Sequence, residues 1–308
     1  MAKENILVIK LSALGDFILA MGAMEAIRKQ HCNAHITLLT TRPFKDIAER
    51  SGYFDEVVID GRPKLYELDK WYKLLSLFNR NHFSRVYDLQ FNDRTKIYRQ
   101  MFVKKPEWSG VIPNSPLFYP NPDWRNMHSY KRHKEVLNIA GVEMHLPDIS
   151  WMKTDVSHLG VKKPYVLFIP GSAPQHPAKR WSAIRYGGLG LKLIRDGYNI
   201  VLIGSDSEQD AVDKIKKACP EARDLLGSTS FYDIYSLAAE SAGVVGNDTG
   251  PSHIAALSGV PMISLFCSQV SKPELSAPIG DMVKVIEAND LEDVSVNDVY
   301  NSFEPRGE

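Results

Sequence analysis

Cysteine is scarce in this sequence, and the three residues present argue against two kinds of structure. Cys32, Cys219 and Cys267 are odd in number and lie far apart, which argues against a disulfide framework. Their spacing also differs from that of a cysteine metal site, so no metal is expected. We predict that all three are small buried apolar residues.

Long apolar runs are also missing. No segment approaches the roughly 18 uninterrupted apolar residues of a membrane span. The apolar stretch near the N-terminus is interrupted by Lys10 and Asp16, and it alternates like a strand that leads into a helix. It therefore does not resemble a signal peptide, and we expect a cytoplasmic protein.

The common cofactor and nucleotide motifs are lacking too. There is no Walker loop, no Gly-x-Gly-x-x-Gly after the first strand and no His/Cys cluster with metal-ligand spacing. The dehydrogenase and nucleoside-triphosphatase interpretations lose their main support, and no cofactor is expected. The formal net charge is zero, and we expect no nucleic-acid partner.

What the sequence does contain is a regular alternation of strands and helices. At 308 residues the chain is long enough for two domains of about 150 residues, each with its own core. We predict an α/β protein with domains over residues 1–150 and 151–308, joined by a linker at residues 142–163. The alternation predicts parallel sheets with helices on their faces, in two domains that face each other across a cleft.

The predicted strands are short apolar runs, and those of the second half end in loops rich in Gly, Ser or Asp. Ligands of open parallel sheets bind at the carboxyl ends of the strands, so we expect these loops to converge on one site. Residues 106–124 lack such a pattern and are predicted to form one long loop. The predicted strands are Asn5–Leu11, His35–Thr40, Glu56–Asp60, Arg85–Gln90, Tyr165–Ile169, Asn199–Ile203, Val244–Gly246 and Pro261–Phe266.

The stretch Asn247–Ala256 carries the first candidate site. A short strand runs into a turn of small and polar residues, and Pro251 stands where a helix would begin. The free N–H groups of such a turn, with the hydroxyls of Thr249 and Ser252, would bind an anion, most often a phosphate. His253 could donate to the same phosphate. The alternative is a capped strand-to-helix turn with a structural histidine.

Several charged positions have both a structural and a chemical interpretation. Asp16 could accept a proton from an attacking hydroxyl, or it could cap the first helix. Lys179 and Arg180 precede a helix, where the dipole disfavours cations, so an external anion would compensate them unless they are ordinary surface charges. Glu208 could accept hydrogen bonds from ribose hydroxyls, or it could satisfy the dipole of its own helix.

Basic residues are concentrated between Arg94 and Lys134, where nine of them stand against two acidic residues. Such a cluster could hold an anionic surface or substrate, although a solvated loop face has the same composition. The nine residues are Arg94, Lys96, Arg99, Lys104, Lys105, Arg125, Lys131, Arg132 and Lys134.

Taken in order, these motifs resemble glycosyltransferase family nine, the bacterial heptosyltransferases of lipopolysaccharide core synthesis. The resemblance implies a GT-B fold, with the acceptor held by the first Rossmann-like domain and the nucleotide-sugar by the second. It also implies an inverting transfer from ADP-heptose without an obligatory metal. The motifs that carry it are Ile9–Asp16, Asp88–Gln90, Pro170–Ser172, Lys179–Trp181, Gly204–Glu208 and Asn247–Ala256.

The resemblance also assigns roles to individual residues. Asp16 matches the general base, Lys179 matches the cation that meets the diphosphate, and Glu208 matches the carboxylate that meets the ribose. We expect an anionic lipid-linked or saccharide acceptor, held by basic residues of the first half. The expected acceptor-binding residues are Arg94, Arg99, Lys131 and Arg132; the expected donor-binding residues are Ser172, Lys179, Glu208, Asp248, Thr249, Gly250, Ser252 and His253.

Because the sequence departs from the family pattern at two places, the sugar and the nucleobase of the donor stay open. The loop between Gly171 and Lys179 is longer than the commonest form, and Cys267–Pro273 replaces a Gly-Pro-Thr-Asp-Pro-like loop. The alternatives are a GT-B transferase with another donor, an epimerase, or a non-catalytic nucleotide-sugar-binding protein. Peripheral contact with the inner face of the bacterial inner membrane, through the basic stretch, is a further expectation; the oligomeric state is open.

Overall fold

The computed structural model describes residues 3–306, which form two compact units with the boundary between Pro147 and Asp148. Unit 1 precedes this boundary and unit 2 follows it. Each unit contains a six-stranded sheet whose strands pair in parallel. The predicted α/β class with two Rossmann-like domains is confirmed.

Unit 1 is organised around a fully buried central strand. The strands are β1 (Asn5–Ile9), β2 (His35–Thr40), β3 (Glu56–Ile59), β4 (Arg85–Asp88), β5 (Glu107–Gly110) and β6 (Leu117–Phe118), in the sheet order β3-β2-β1-β4-β5-β6. Residues 6–9 of β1 have no exposed surface, as is typical of a parallel strand that helices cover on both faces. The helices are α1 (Leu14–Leu19), α2 (Met21–Gln30), α3 (Lys45–Arg50), α4 (Leu68–Arg80), α5 (Asp93–Met101) and α6 (Ser129–Ile139).

The segment predicted to be one long loop, residues 106–124, contains β5 and β6, the last two strands at one side of this sheet. β5 pairs with β4, and β6 pairs with β5. Trp108 on β5 is fully buried and packs edge-on against Phe102, with 6.1 Å between the ring centroids. The loop prediction is wrong because β5 (Glu-Trp-Ser-Gly) has a single large apolar residue and β6 has only two residues, so neither shows an apolar run or a period.

Unit 2 repeats the arrangement with a second sheet. Its strands are β7 (Tyr165–Ile169), β8 (Asn199–Leu202), β9 (Arg223–Asp224), β10 (Gly243–Asn247), β11 (Met262–Cys267) and β12 (Val283–Ala288), in the order β12-β11-β10-β7-β8-β9. Its helices are α7 (Ala183–Arg195), α8 (Gln209–Ala218), α9 (Phe231–Glu240), α10 (Gly250–Ala256), α11 (Pro273–Ser276) and α12 (Val296–Ser302). The sequence analysis missed both edge strands. β9 has two residues, and β12 is partly exposed and carries Lys284 and Glu287 among its apolar residues.

The segment predicted to be a linker, residues 142–163, is packed onto both units, and the boundary falls inside it. Met144 is fully buried in unit 1, and Met152 is fully buried in unit 2. The backbone N–H of Thr154 donates to the Ser236 hydroxyl of unit 2 at 2.8 Å. This stretch therefore belongs to the two folded units, although it lacks the periodicity from which a strand or a long helix is predicted.

The loops that carry the candidate residues of unit 2 follow the carboxyl ends of its strands. β7 leads into residues 170–182, β8 into residues 203–208 and β10 into residues 248–249. Because β10, β7 and β8 are neighbours in a parallel sheet, these three loops emerge at the same sheet edge. The expected convergence of these loops in unit 2 follows from this strand order.

Candidate functional site

Asn247, the last residue of β10, ties the site of unit 2 together. Its side-chain amide N–H donates to the carbonyl of Pro170 at 2.7 Å. Its amide oxygen accepts from the Tyr186 hydroxyl at 3.1 Å and from the backbone N–H of Trp181 at 3.2 Å. Asn247 has no exposed surface, so one buried amide fixes both ends of the loop that carries Lys179.

Lys179 and Asp248 form an ion pair at the top of this loop. The distance from the Lys179 ammonium to the nearer carboxylate oxygen is 2.5 Å, and the side chains are 19% and 7% exposed. The next residue but one, Trp181, is 2% exposed and donates from Nε1 to the carbonyl of Val294 at 2.9 Å. A buried indole thus anchors the chain just after the lysine, and the Lys179 side chain stays partly exposed.

Arg180 turns away from Lys179 and toward Ser172. Its guanidinium donates to the Ser172 carbonyl at 2.8 Å and to the Ser172 hydroxyl at 3.2 Å, and it lies 3.7 Å from the Glu208 carboxylate. These cations therefore already have acidic partners within the protein, and the prediction that an external anion binds here stays a prediction. Asp248 neutralises Lys179, and Glu208 lies within ion-pair distance of Arg180, which no sequence pattern revealed because the partners are far apart in the chain.

Glu208 closes the loop after β8. Its carboxylate accepts hydrogen bonds from the N–H and the hydroxyl of Ser205, both at 2.7 Å, and from the Ser207 hydroxyl at 2.7 Å. These bonds form a capping box, so the structural interpretation of Glu208 holds. A Cβ added to Gly171 would lie 2.8 Å from Glu208 Cγ, which means that the two loops touch where Gly171 stands.

The segment from Thr249 to His253 forms the start of α10. Pro251 lies in the first turn, as predicted, and Thr249 is the N-cap residue. The Ser252 hydroxyl donates to the carbonyl of Asn247 at 2.6 Å, and Ser252 has no exposed surface. His253 is 4% exposed, whereas Thr249 and Gly250 are half-buried. A ligand at this turn would therefore meet Thr249 and Gly250 before it met the Ser252 hydroxyl.

Asp16 lies in the first turn of α1 in unit 1. The helix begins at Leu14, with Ala13 as its N-cap, so Asp16 is inside the helix and not before it as predicted. Its carboxylate accepts from the backbone N–H of Ala13 at 3.3 Å, which supports the helix start. The side chain is half-buried, so the capping role and a chemical role remain compatible.

The loop that leads to Asp16 is held from both sides. The Gln90 side-chain oxygen accepts from the N–H groups of Leu11 at 2.7 Å and Ser12 at 3.1 Å. The carbonyl of Leu11 accepts from the Thr41 hydroxyl at 2.8 Å and from the Arg62 guanidinium at 2.9 Å. Loops after β2, β3 and β4 thereby fix the backbone that presents Asp16.

Lys10 and His133 form a buried pair beside Asp16 that the sequence analysis did not assign to the site. Both side chains lie at 3.1 Å from the carbonyl oxygen of Leu89, and they are 2% and 0% exposed. Burial lowers the pKa of Lys10 to about 8, against the opposing effect of Asp16. Burial also lowers the pKa of His133 to well below 6.5. The sequence signal that could have identified this pair is Lys10, a lysine directly after the apolar strand β1.

Arg132 is the acceptor-binding candidate that the structure brings near Asp16. Its guanidinium lies over the rings of Phe91 and Trp124, at 5.0 and 5.5 Å from their centroids. Burial lowers the pKa of Arg132, and the charge of Asp16 opposes this shift. Contacts with two aromatic rings restrict the motion of the Arg132 guanidinium, which favours a group that binds an anion.

The other three acceptor candidates have contacts elsewhere. Arg94 donates to the Tyr98 hydroxyl at 3.2 Å, and Arg99 donates to the carbonyl of Asn114 at 2.7 Å. Lys131 is exposed and lies 3.9 Å from the carboxylate of Glu135. Arg94 and Arg99 therefore have structural bonds of their own, and no described contact joins these three residues to Asp16.

Comparison with known sequences identifies the family. A profile described as glycosyltransferase family 9 (heptosyltransferase) matches residues 130–302, more than half of the chain. The chain belongs to glycosyltransferase family 9. The matched range of this family 9 protein contains all the donor-binding candidates, from Ser172 to His253, and the acceptor candidates Lys131 and Arg132.

Individual relatives agree with this membership. Lipopolysaccharide heptosyltransferase 3 of Escherichia coli is 30% identical over 284 residues, which cover 82% of this chain and 80% of that relative. Lipooligosaccharide heptosyltransferase 2 of Haemophilus influenzae is 34% identical over 130 residues, which cover 41% of this chain and 37% of that relative. The fold is similar to that of Escherichia coli ADP-heptose lipopolysaccharide heptosyltransferase II, with a TM-score of 0.74, 21% identity and 97% of both chains covered. The fold class is therefore GT-B.

Residues 3–306 of this family 9 protein contain neither a candidate metal-ligand cluster nor a candidate membrane-spanning helix. No three His, Cys, Asp or Glu side chains stand together as a metal site would require. In the same residues, no helix is both long enough and apolar enough to cross a bilayer.

Cys219 and Cys267 are buried as predicted, but Cys32 is exposed in the turn after α2, so the prediction is wrong for that residue.

Proposed function

We propose that this family 9 protein is an inverting glycosyltransferase that moves a heptose from ADP-heptose to a lipopolysaccharide core or a related anionic saccharide acceptor. The observation that carries the proposal is the cluster in unit 2, inside the range matched by the family, where the Lys179–Asp248 pair stands at the sheet edge used by ligands of open α/β sheets. The names of the relatives supply the donor and the acceptor class.

The donor would be held by the three loops of unit 2. The partly exposed Lys179 ammonium, bonded to Asp248, would meet the diphosphate, since a cation with one anionic partner can bind a second at the open side. The N–H groups near Thr249 and Gly250 would add neutral donors. Glu208, fixed by its two serines, would accept from the ribose hydroxyls.

The chemistry is a single displacement. An acceptor hydroxyl oxygen attacks the anomeric carbon while the bond from that carbon to the β-phosphate oxygen breaks, which inverts the configuration. The hydroxyl proton passes to the Asp16 carboxylate, and the negative charge that develops on ADP is stabilised by Lys179. No residue of this scheme requires a metal, and we propose that activity persists in the presence of a chelator.

The acceptor would be recognised in unit 1. Arg132 is a fixed, delocalised cation close enough to Asp16 for the two charges to affect each other, which suits an anionic group beside the attacking hydroxyl. A lipid-linked acceptor places the reaction at a membrane surface, so we propose a cytoplasmic protein with peripheral contact to the inner face of the bacterial inner membrane. Of the four basic residues expected from sequence, Arg132 has the strongest support.

Calorimetric titration with ADP, UDP and GDP tests the donor. We expect ADP to bind and the other two to bind much more weakly. Tight binding of UDP with none of ADP would contradict the heptosyl assignment and favour the alternative of a GT-B enzyme with another nucleotide-sugar. A transfer assay with ADP-heptose then separates an enzyme from the second alternative, a non-catalytic nucleotide-sugar-binding protein.

A further inference from the structure

The segment around the start of α4 exposes an unusual amount of apolar surface. Leu65 is 87% exposed, Tyr66 and Leu68 are each 73% exposed, and Tyr72 is 64% exposed. These four residues lie within eight positions of the chain, in contrast to the scattered single apolar residues that are normal on a surface. A concentrated apolar patch on a folded protein marks a site of interaction with a partner or a membrane.

The geometry of α4 gives it two apolar faces. Leu74 and Phe78 are buried in the core of unit 1. Leu68, Tyr72 and Leu75 are spaced by four and three residues, so they line up along another face of the same helix, and all three are exposed. One face therefore packs against the core of unit 1, while the other is exposed in the part of the chain that the structure describes.

Basic residues outnumber acidic ones in this segment. Arg62, Lys64 and Lys73 are exposed close in sequence to the apolar residues, and Asp69 is an exposed acidic residue among them. The nearby Glu67 is an acceptor for the ammonium of Lys70 and for the N–H of Lys64, so part of the local negative charge is neutralised. Leucine and tyrosine side chains surrounded by lysine and arginine are the combination that binds the interface of an anionic bilayer.

The segment is fixed to the framework that carries Asp16. It follows β3, and the Arg62 guanidinium donates to the Leu11 carbonyl in the loop before α1. The Trp71 indole N–H donates to the carbonyl of Lys64 at 2.9 Å, and Pro63 is buried. The exposed residues are thus held on an ordered turn that starts at the same sheet edge as the candidate base.

We propose that residues 62–75 form a membrane-docking surface, in which Leu65, Tyr66 and Leu68 enter the headgroup region of a bilayer and the flanking cations bind anionic lipid headgroups. The occupant follows from charge complementarity, because an apolar face in a segment with four basic and two acidic residues complements an anionic lipid surface. Because the Arg62 guanidinium bonds to the loop before α1, docking also places the Asp16 carboxylate near the membrane. That last step rests on the proposed function with a lipid-linked acceptor; the binding to lipid does not.

Vesicle flotation with the full chain tests the surface. The probes are vesicles of phosphatidylcholine alone and of phosphatidylcholine mixed with phosphatidylglycerol. We expect binding to the mixed vesicles, and a loss of at least about tenfold in the partition coefficient for the double variant Leu65→Ser/Leu68→Ser, because two leucines no longer leave water. The matched control is Ile184→Ser in unit 2, where a 73% exposed isoleucine is removed with no change in binding.

The salt dependence and a second variant decide between this surface and the basic stretch. With apolar insertion, raised salt weakens binding but leaves a residual part that the double variant lacks. The proposal would be overturned if Leu65→Ser/Leu68→Ser bound vesicles as the wild type does. It would also be overturned if Lys131→Ser/Lys134→Ser were the only one of the two double variants to lose binding. Unchanged circular dichroism and thermal unfolding establish that each variant is folded. The flotation assay contains no sugar donor or acceptor, so its result would stand even if the transfer assay of the proposed function failed.

Discussion

At the scale of single residues, the candidate site consists of charges whose partners lie far away in the sequence. Lys179 and Asp248 are 69 residues apart, and Lys10 reaches the carbonyl of Leu89 across 79 residues. The residue types and their order along the chain were enough to nominate Asp16, Lys179 and Glu208. Which charge neutralises which depends on the strand order, and for that reason the Lys179–Asp248 pair was not predicted.

Replacing Asp16 by Asn tests the proposed base. We expect transfer to fall by about 10²- to 10⁴-fold, since an amide cannot accept the acceptor proton, while ADP affinity stays nearly unchanged. Steady-state kinetics and calorimetry measure the two effects. Glu143→Gln, at an exposed carboxylate of the same unit, is the control and should be silent. Wild-type turnover in the Asp16 variant would remove the base from the mechanism.

Replacing Lys179 by Ala tests the diphosphate contact. The variant leaves Asp248 without its ion-pair partner and with its negative charge facing the site, so donor binding and turnover should fall together. Titration with ADP and the transfer rate provide the measurements. Lys217→Ala removes an exposed lysine from α8 and serves as the control. If neither quantity changed, Lys179 would be an ordinary surface charge.

Lys10 makes the stability of unit 1 depend on pH. The folded chain binds the Lys10 proton with a pKa of about 8 and the unfolded chain with its ordinary value of 10.5, so the unfolded state binds more protons between these values. The buried charge therefore destabilises the fold below about pH 8, and this effect fades as the pH rises toward 10.5. Lys10→Met should stabilise the protein at pH 7 by on the order of 1–3 kcal/mol, and less at higher pH.

Urea unfolding of the wild type and of Lys10→Met at pH 7 and about pH 9.5 measures this difference. His133→Phe is a suitable control, because it disturbs the same Leu89 carbonyl at a side chain that burial keeps neutral throughout this range. A stability difference that is the same at both pH values would show that ionisation of Lys10 is not its origin.

At the scale of elements, prediction succeeded for strands that contain an uninterrupted apolar stretch and failed for β5, β6, β9 and β12. β7 is a continuous apolar run, β1 is one apart from its first residue, and β10 has two valines at its centre. The turn after β10 predicts the start of α10 through Pro251. β6 and β9 have two residues each, and their pairing comes from the neighbouring strand and not from their own side chains. Strands of two residues, and strands whose apolar residues are interrupted by polar ones, are therefore the part of this fold that one sequence cannot reveal.

Gly171 joins two loop elements of unit 2. Because an added Cβ would lie 2.8 Å from Glu208 Cγ, Gly171→Ala should force the Glu208 loop to move. We expect a loss of about 1–3 kcal/mol in stability, and weaker ADP binding if Glu208 meets the ribose. Urea unfolding and calorimetry measure the two. Gly61→Ala, where the nearest atom is a lysine methylene at 3.6 Å, should be tolerated; equal effects would point to a general glycine effect.

At the scale of the whole molecule, each unit has its own sheet and its own buried core. Units that share no strand pairing can unfold in separate steps. We expect two transitions in scanning calorimetry. ADP at about 100 times its dissociation constant should stabilise unit 2 by about 2.7 kcal/mol and shift its transition alone. Lys10→Met identifies the transition of unit 1, and a single transition that shifts as a whole would contradict this view.

The Asn247 amide has one more consequence, which concerns the entropy of binding. Its hydrogen bonds to Pro170, Trp181 and Tyr186 order the Lys179 loop when the protein folds. The loss of chain freedom that accompanies loop ordering is therefore already included in the folding free energy, and a nucleotide would meet a preorganised loop. The nucleotide affinity that we propose for unit 2 thus depends partly on a side chain that has no exposed surface.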